Sequence, residues 1–138
     1  MIPISKESGL GWTTLSVDNA AGSPNAIKND VTNFQFATPR GVQDTTGVDK
    51  SAMERLLLLA DMSITLNGVF DDGSNLAHDT FKSVPSTSVA RTTSLAVSGQ
   101  TLAGELLYTD YSMTRAQDGS LLWTAPGVLA DGTVPTWA

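Results

Sequence analysis

Any histidine-based chemistry in this chain has to pass through His78, because its 138 residues contain one histidine. A catalytic array needs its base in contact with both a nucleophile and an orienting group. Asp79, the adjacent acid, leaves a helix on a different side from His78, since helix partners stand three or four residues apart. His78 therefore reads as a helix-packing or surface residue. The run Asp71-Asp72-Gly73-Ser74-Asn75 is rich in oxygen ligands, but it lacks the spacing and the closing Glu of an EF-hand loop, and reads as a turn leading into a helix cap. The three Glu (Glu7, Glu54 and Glu105) and eleven Asp, most of them at turn positions, single out no glycosidase-type pair. With no cysteine there is no thiol nucleophile, disulfide or cysteine-ligated metal. Neither a Gly-Lys-Ser/Thr phosphate loop nor a Gly-x-Gly-x-x-Gly pattern occurs. Trp12, Trp123 and Trp137 could form a carbohydrate platform, although packing is the commoner use of tryptophan. These residues point to no enzyme, no cofactor and no metal.

Composition narrows the classes further. The formal net charge is −6 and the bases form no cluster, which argues against a protein that neutralises phosphates. At 41% hydrophobic and 16% charged the chain is not of the disordered type. Met1 to Ser8 lacks the apolar centre of a signal peptide, and the apolar run Leu56 to Ala60 falls far short of the roughly 20 residues of a membrane span. The expectation is a soluble protein without a membrane partner.

The elements follow from periodicity. Ser and Thr number 31, which suits pleated strands and their turns. Thr93, Leu95 and Val97 alternate with polar neighbours over 91–97, and Ser98-Gly99-Gln100 is a turn. Thr101 to Arg115 reads as one long strand covered on both faces. Asp118-Gly119 suits a two-residue type I′ hairpin, with a return strand from Leu121. Met62, Ile64 and Leu66 share one parity in a strand that could begin at Leu56, with Gly68 at a bulge or close approach. Leu76 and Phe81 can share a helix face, with Ser74 or Asn75 as cap and Val84-Pro85 as stop. Leu10 to Val17 and Ile27 to Thr38 read as strands around the turn cluster Asn19 to Asn25. Ser51 to Ala60 is ambiguous: a capping box at Ser51–Glu54 favours helix, and the residues after it also suit a strand.

The expected fold is mainly β, an antiparallel β-sandwich of about seven strands with one short flanking α-helix and a long loop or hairpin arm. One domain spans 1–138, with the arm at 38–55, the helix at about 75–83 and a C-terminal meander over 91–130. The residues left over are an unpatterned stretch from Pro39 to Lys50, sheet edges that nothing blunts, and apolar termini with Pro3, Pro135 and Trp137. These are liabilities in a monomer and assets in an assembling subunit.

The order of motifs adds a resemblance. Thr46-Gly47-Val48-Asp49-Lys50-Ser51-Ala52-Met53-Glu54-Arg55-Leu56, Asp61 to Asp71, His78-Asp79-Thr80-Phe81, Gly104 to Tyr111 and Trp123 to Gly127 together resemble the tail tube (major tail) protein of long-tailed bacteriophages. The resemblance implies hexameric rings of a β-sandwich flanked by a helix, stacked into a hollow tube through which genome DNA passes without specific binding. It implies a place in the virion tail after assembly in the host cytoplasm, beside tape measure, tail terminator and distal tail proteins. It also implies an arm reaching the adjacent ring, with Arg40, Gly41, Val42, Val48, Lys50 and Met53 as inter-ring contacts, and it favours extended structure over Ser51 to Ala60. A tube that lets DNA slide should repel phosphates, so Asp44, Asp49, Glu54, Asp110 and Asp118 are expected to supply lumen-facing charge. A tail terminator ring and a sugar-binding sandwich using the tryptophans are the alternatives.

Overall fold

The computed structural model describes Lys6 and residues 8–138; Pro3 and Glu7, singled out above, lie outside the described residues. Among the described residues ten strands and one α-helix follow in order, besides 3-10 turns at Gly9–Gly11 and Lys28–Asp30: β1 (Trp12–Asp18), β2 (Pro24–Ala26), β3 (Val31–Ala37), β4 (Arg40–Asp44), β5 (Arg55–Ala60), β6 (Ser63–Val69), α1 (Ala77–Phe81), β7 (Arg91–Val97), β8 (Gln100–Tyr108), β9 (Ser112–Arg115) and β10 (Leu121–Leu129). All the strand pairs are antiparallel. Eight strands run in the order β2-β1-β7-β8-β10-β6-β3 with β9 also on β10, and among the described residues β4 and β5 pair only with each other. The fold is a mainly antiparallel β-sandwich.

The layers meet at β10. Its residues Gly127 to Leu129 pair with Leu106 to Tyr108 of β8, and its opposite half pairs with β9. Its other edge pairs with β6 from Leu122 to Val128. The sheet folds over so that its two ends face one another, and the Trp12 ring of β1 stands edge-on to Phe34 of β3 at 4.8 Å. Alternation supplies the core: Leu15 and Val17, Ile64 and Leu66, Leu102 and Leu106, and Trp123 and Ala125 all point inward, and α1 adds Ala77 and Phe81. The Phe81 ring centre lies 5.1 Å from that of Tyr108 and 5.5 Å from that of Trp123.

Several local expectations are corrected. The stretch Thr101 to Arg115 is two strands, broken where Asp110 accepts the amide of Tyr111 at 2.9 Å and Thr109 donates to the Pro126 carbonyl at 3.1 Å. One face of β8 is covered and the other is open, with Leu107 exposed. The type I′ turn is not at Asp118-Gly119, where Gly119 (φ 95°) alone takes positive φ and Gln117-Asp118-Gly119 form a three-residue loop. It lies at Ser98-Gly99, with φ of 48° and 81° between the paired Val97 and Gln100. The helix starts at Ala77, and neither Ser74 nor Asn75 caps it. The cap is Asp30, whose carboxylate accepts the Ala77 amide at 3.0 Å. The strand through Met62 does not begin at Leu56: Asp61 and Met62 separate β5 from β6.

Gly68 is both close approach and bulge partner. The β3–β6 register shifts opposite it, and a Cβ there would collide with the Asp30 carbonyl oxygen and meet Trp123 at 2.9 Å. The Trp123 indole donates to the Val69 carbonyl at 3.0 Å beside that contact.

Candidate assembly surface

The residues with chemical potential are occupied in packing. His78 pairs through Nδ1 with the Tyr111 hydroxyl at 3.0 Å, and its ring lies 4.9 Å from that of Phe70. Burial pushes the Tyr111 phenol up to about 12. Asp79 turns to Lys82 at 2.7 Å, and that hydrogen bond, with another from the Asn75 amide, holds its carboxyl below the usual range. Asp71 accepts the Gly73 amide at 3.0 Å within its own turn. The Arg91 guanidinium is buried with no carboxylate partner among the described residues, donating to the carbonyls of Thr80 at 2.6 Å and Asp18 at 3.1 Å and to Ser83 Oγ at 2.8 Å. Desolvation lowers its pKa.

The tryptophans do not make a platform. Trp123 is 1% exposed. Trp12 and Trp137 flank Phe36, with ring centres 6.2 and 6.0 Å from it. The C-terminal segment carrying Trp137 docks on β8 through an isolated bridge, where Thr101 and Ala138 exchange backbone hydrogen bonds of 2.9 and 2.8 Å.

What remains open is the β4–β5 hairpin. The unpatterned stretch after Pro39 forms one strand of it, and Ser51 to Ala60 resolves into loop followed by strand, not helix. Val42 faces Leu57, Gln43 faces Leu56 and Asp44 faces Arg55 across the ribbon. A hydrogen bond from the Asp61 amide to the Pro39 carbonyl, 3.1 Å, closes its root. At the far end Thr45 donates to the Glu54 carbonyl at 3.0 Å, and the Glu54 amide donates to the Thr46 hydroxyl at 2.8 Å. Leu57 shares a face with its partner Val42, and Leu56 and Leu58 lie on the other face with Gln43 and Gly41; the register then shifts before Ala60, a bulge that takes in Leu58 and Leu59. All four leucines are exposed, from 44% at Leu58 to 90% at Leu59. Leu58 lies over Gly41, where a Cβ would meet its Cδ1 at 3.3 Å.

The predicted contact residues Arg40, Gly41 and Val42 lie on β4, and Val48, Lys50 and Met53 on the loop beyond it; all six are exposed. The sequence reading did not assign a contact role to Leu56, Leu57, Leu58 and Leu59. Their signal was a continuous apolar run bounded by Arg55 and Asp61, the pattern of a strand buried on both sides.

The five acids are exposed but do not converge. Asp44, Asp49 and Glu54 share the hairpin, where Lys50 approaches Asp49 at 4.0 Å and Glu54 at 3.6 Å. Asp110 and Asp118 sit at opposite ends of β9, so a strand separates them. Hydrogen bonds from the Thr46 hydroxyl and amide hold the Asp44 carboxyl below its ordinary value, and those from the Ser120 amide and hydroxyl do the same for Asp118.

One outer face of the sandwich is free of charge over its middle, and the other carries Glu105, which accepts the Thr92 hydroxyl. Asn33, Gln35, Ser63, Thr65, Asn67 and Thr124 cover the first, knitted by hydrogen bonds from Asn67 to Asn33 at 2.9 Å and from Thr124 to Asn67 at 2.8 Å. The chain exposes 8834 Å², against roughly 7,000 Å² for a compact monomer of this mass. The projecting hairpin contributes to that excess. Among the described residues no three His, Asp or Glu side chains gather as a metal site, and no helix is long and apolar enough to cross a membrane.

No family model and no curated protein sequence matches the chain. Solved structures do. One is a chain from the tail of an empty gene transfer agent particle, obtained by helical refinement with C6 symmetry; the TM-score is 0.73 at 14% identity, covering 96% of this chain and 99% of that one. Another comes from the virion of a native gene transfer agent particle, at TM-score 0.67 and 14% identity with the same coverage. At that identity the likeness establishes the fold, and over nearly its whole length this chain is similar to a subunit of a gene transfer agent tail.

Proposed function

We propose that this protein is a structural subunit of a phage-type virion tail, and specifically a tail tube protein whose hexameric rings stack into a hollow conduit for DNA. The observation that carries the reading is the end-to-end likeness to a subunit of a tail with C6 symmetry. The hairpin supports it independently, because a ribbon with leucines on both faces is stable chemistry only where something covers it. A heterologous contact closes into a ring when its rotation closes, and axial repetition extends the stack. Six copies would carry about −36 per ring, a field that repels phosphate rather than holding it.

In this reading Arg40, Gly41, Val42, Val48, Lys50 and Met53 contact the adjacent ring, and Asp44, Asp49, Glu54, Asp110 and Asp118 contribute charge toward the lumen. A ring structure with all five acids on the outside overturns the lumen assignment. Tape measure, tail terminator and distal tail proteins are the expected partners, with assembly in the host cytoplasm before incorporation in the virion. The subunit has no catalytic task.

The test is negative-stain electron microscopy of the concentrated protein. Hollow filaments of stacked rings are expected. Discrete rings that never stack assign the protein to the terminator class instead, and a sample that stays monomeric at high concentration, even with a tail initiator complex added, overturns the assembly reading.

A further inference from the structure

Resting on that reading, we infer that the β4–β5 hairpin is buried on both faces at once, wedged between the bodies of two other copies of this chain. A ribbon that merely lies along a neighbour needs one apolar face and one wet one, and would alternate apolar with polar residues. This one does not: Leu56 and Leu58 occupy one face and Leu57 and Val42 the other, all exposed in the subunit, with exposed Leu59 in the bulge that follows.

The body of the chain offers what such a wedge requires. Two pairs of exposed apolar side chains stand directly across from one another on its strands: Val69 with Leu122, and Leu107 with Val128. Leu122 and Val128 share one side of β10, about 20 Å apart at the rise of a strand. They lie toward the two ends of β10, where it pairs with different neighbours. Each chain therefore presents two apolar hairpin faces and two apolar body spots, so a closed assembly can match every face to a spot.

Charge selects the same occupant. The hairpin carries Arg40, Lys50 and Arg55 against Asp44, Asp49 and Glu54 and is neutral, so the whole net charge of −6 resides on the body. Two such bodies repel when they meet directly. A neutral wedge held between them separates the like charges and sets Arg40 and Arg55 against bodies that carry the net negative charge, while the strand faces around the spots are poor in charge, with Glu105 two residues from Leu107, as an interface centre is.

The chain has no cysteine, so single thiols report cleanly. Leu56→Cys and Leu57→Cys place one thiol on each hairpin face. Each variant is assembled at a low ratio with the wild-type chain, and labelling by a small maleimide that can enter a tube lumen is timed in filaments and in free subunit. Both thiols are expected to slow at least tenfold in filaments. Leu57→Cys or Leu56→Cys mixed with Leu122→Cys or Val128→Cys chains should then yield disulfide-linked dimers on oxidation. A hairpin face that labels in filaments as fast as in free subunit overturns the inference while leaving tube formation standing. Should a first variant be left out of the filaments, Leu58→Cys and Val42→Cys read the same two faces. Wild-type protein that builds no filaments under any condition removes the assembly reading, and the wedge with it.

Discussion

The carboxylate of Asp30, in the turn before β3, accepts the amide of Ala77 at 3.0 Å, so a helix is capped by a residue 47 positions away. Both groups are buried. Asp30→Ala leaves a buried amide without an acceptor and should cost about 1–3 kcal/mol, read as a loss in denaturant midpoint at unchanged slope.

Burial, the largest cause, raises the Asp30 pKa above its ordinary 3.8, with the neighbouring Asp71 acting in the same direction. The folded chain thus keeps this proton to higher pH than the unfolded one. Its stabilising contribution is complete below the unfolded value and is lost as pH rises through the folded value. Asp30→Asn keeps an oxygen acceptor and removes the charge. The Tm of Asp30→Asn relative to wild type should therefore climb as pH rises above the ordinary carboxyl value of 3.8; a constant difference would count against this assignment.

Arg91 ties the end of β1, the last turn of α1 and Ser83 to β7 through three hydrogen bonds. Arg91→Met fills similar volume but leaves the Thr80 and Asp18 carbonyls without their donor. The expected loss is on the order of 3 kcal/mol, since bonds to a charged group contribute more than neutral ones. Chemical denaturation measures it, and a neutral result would mean that the three elements hold without the guanidinium.

Gly68→Ala drives a methyl into the Asp30 carbonyl and the Trp123 ring. Backbone on one side and a core indole on the other leave little room for relief, so a loss of about 1–3 kcal/mol is expected. Tryptophan emission should shift with it, because Trp123 is the buried indole. Unchanged stability and emission would show that β3 can retreat at this point.

None of the residues from Arg40 to Ala60 is buried. Replacing 41–59 by a short Gly-Ser bridge should leave the Tm within a few degrees of wild type and abolish filaments. The shorter excision of Gly41 to Asp49 removes most of β4 and should do the same. Normal filaments from either variant would sink the role given to the hairpin.

The sandwich was legible where one face is buried. Met62, Ile64 and Leu66, like Thr93 and Leu95, alternate because water lies on their other side, and period two then marks the strand. Alternation does not mark where a strand changes partners, which is why Thr101 to Arg115 read as one strand and the break at Asp110 passed unseen. The helix cap was invisible for a related reason: Asp30 reaches Ala77 through the fold, and no local pattern encodes that. Asp-Gly outranks Ser-Gly as a type I′ signal, yet register placed the tight turn at Ser98-Gly99. The hairpin was hardest to read, because β4 and β5 take no periodicity from their own subunit's core. The resemblance, more than the pattern, gave extended structure there.

The strand order has a consequence for how the chain is made. β1 finds its long-range partner in β7, and Val17 pairs with Thr93; until residue 97 has been synthesised, β1 has only the three residues of β2 beside it. β6 has β3 on one edge but waits for β10 on the other. Apart from the short β1–β2 pair and the β4–β5 hairpin, the local units are the β7–β8 hairpin with its tight turn and the β9–β10 hairpin, both toward the C-terminus. Closure therefore runs from the C-terminal half back onto the N-terminal half, and folding is slow by the logic of non-local contacts. During that interval the β4–β5 leucines are already displayed while the body that should receive them is unfinished. Rapid synthesis at high concentration thus favours premature sticking, and slowing translation should raise the yield of assembly-competent subunit.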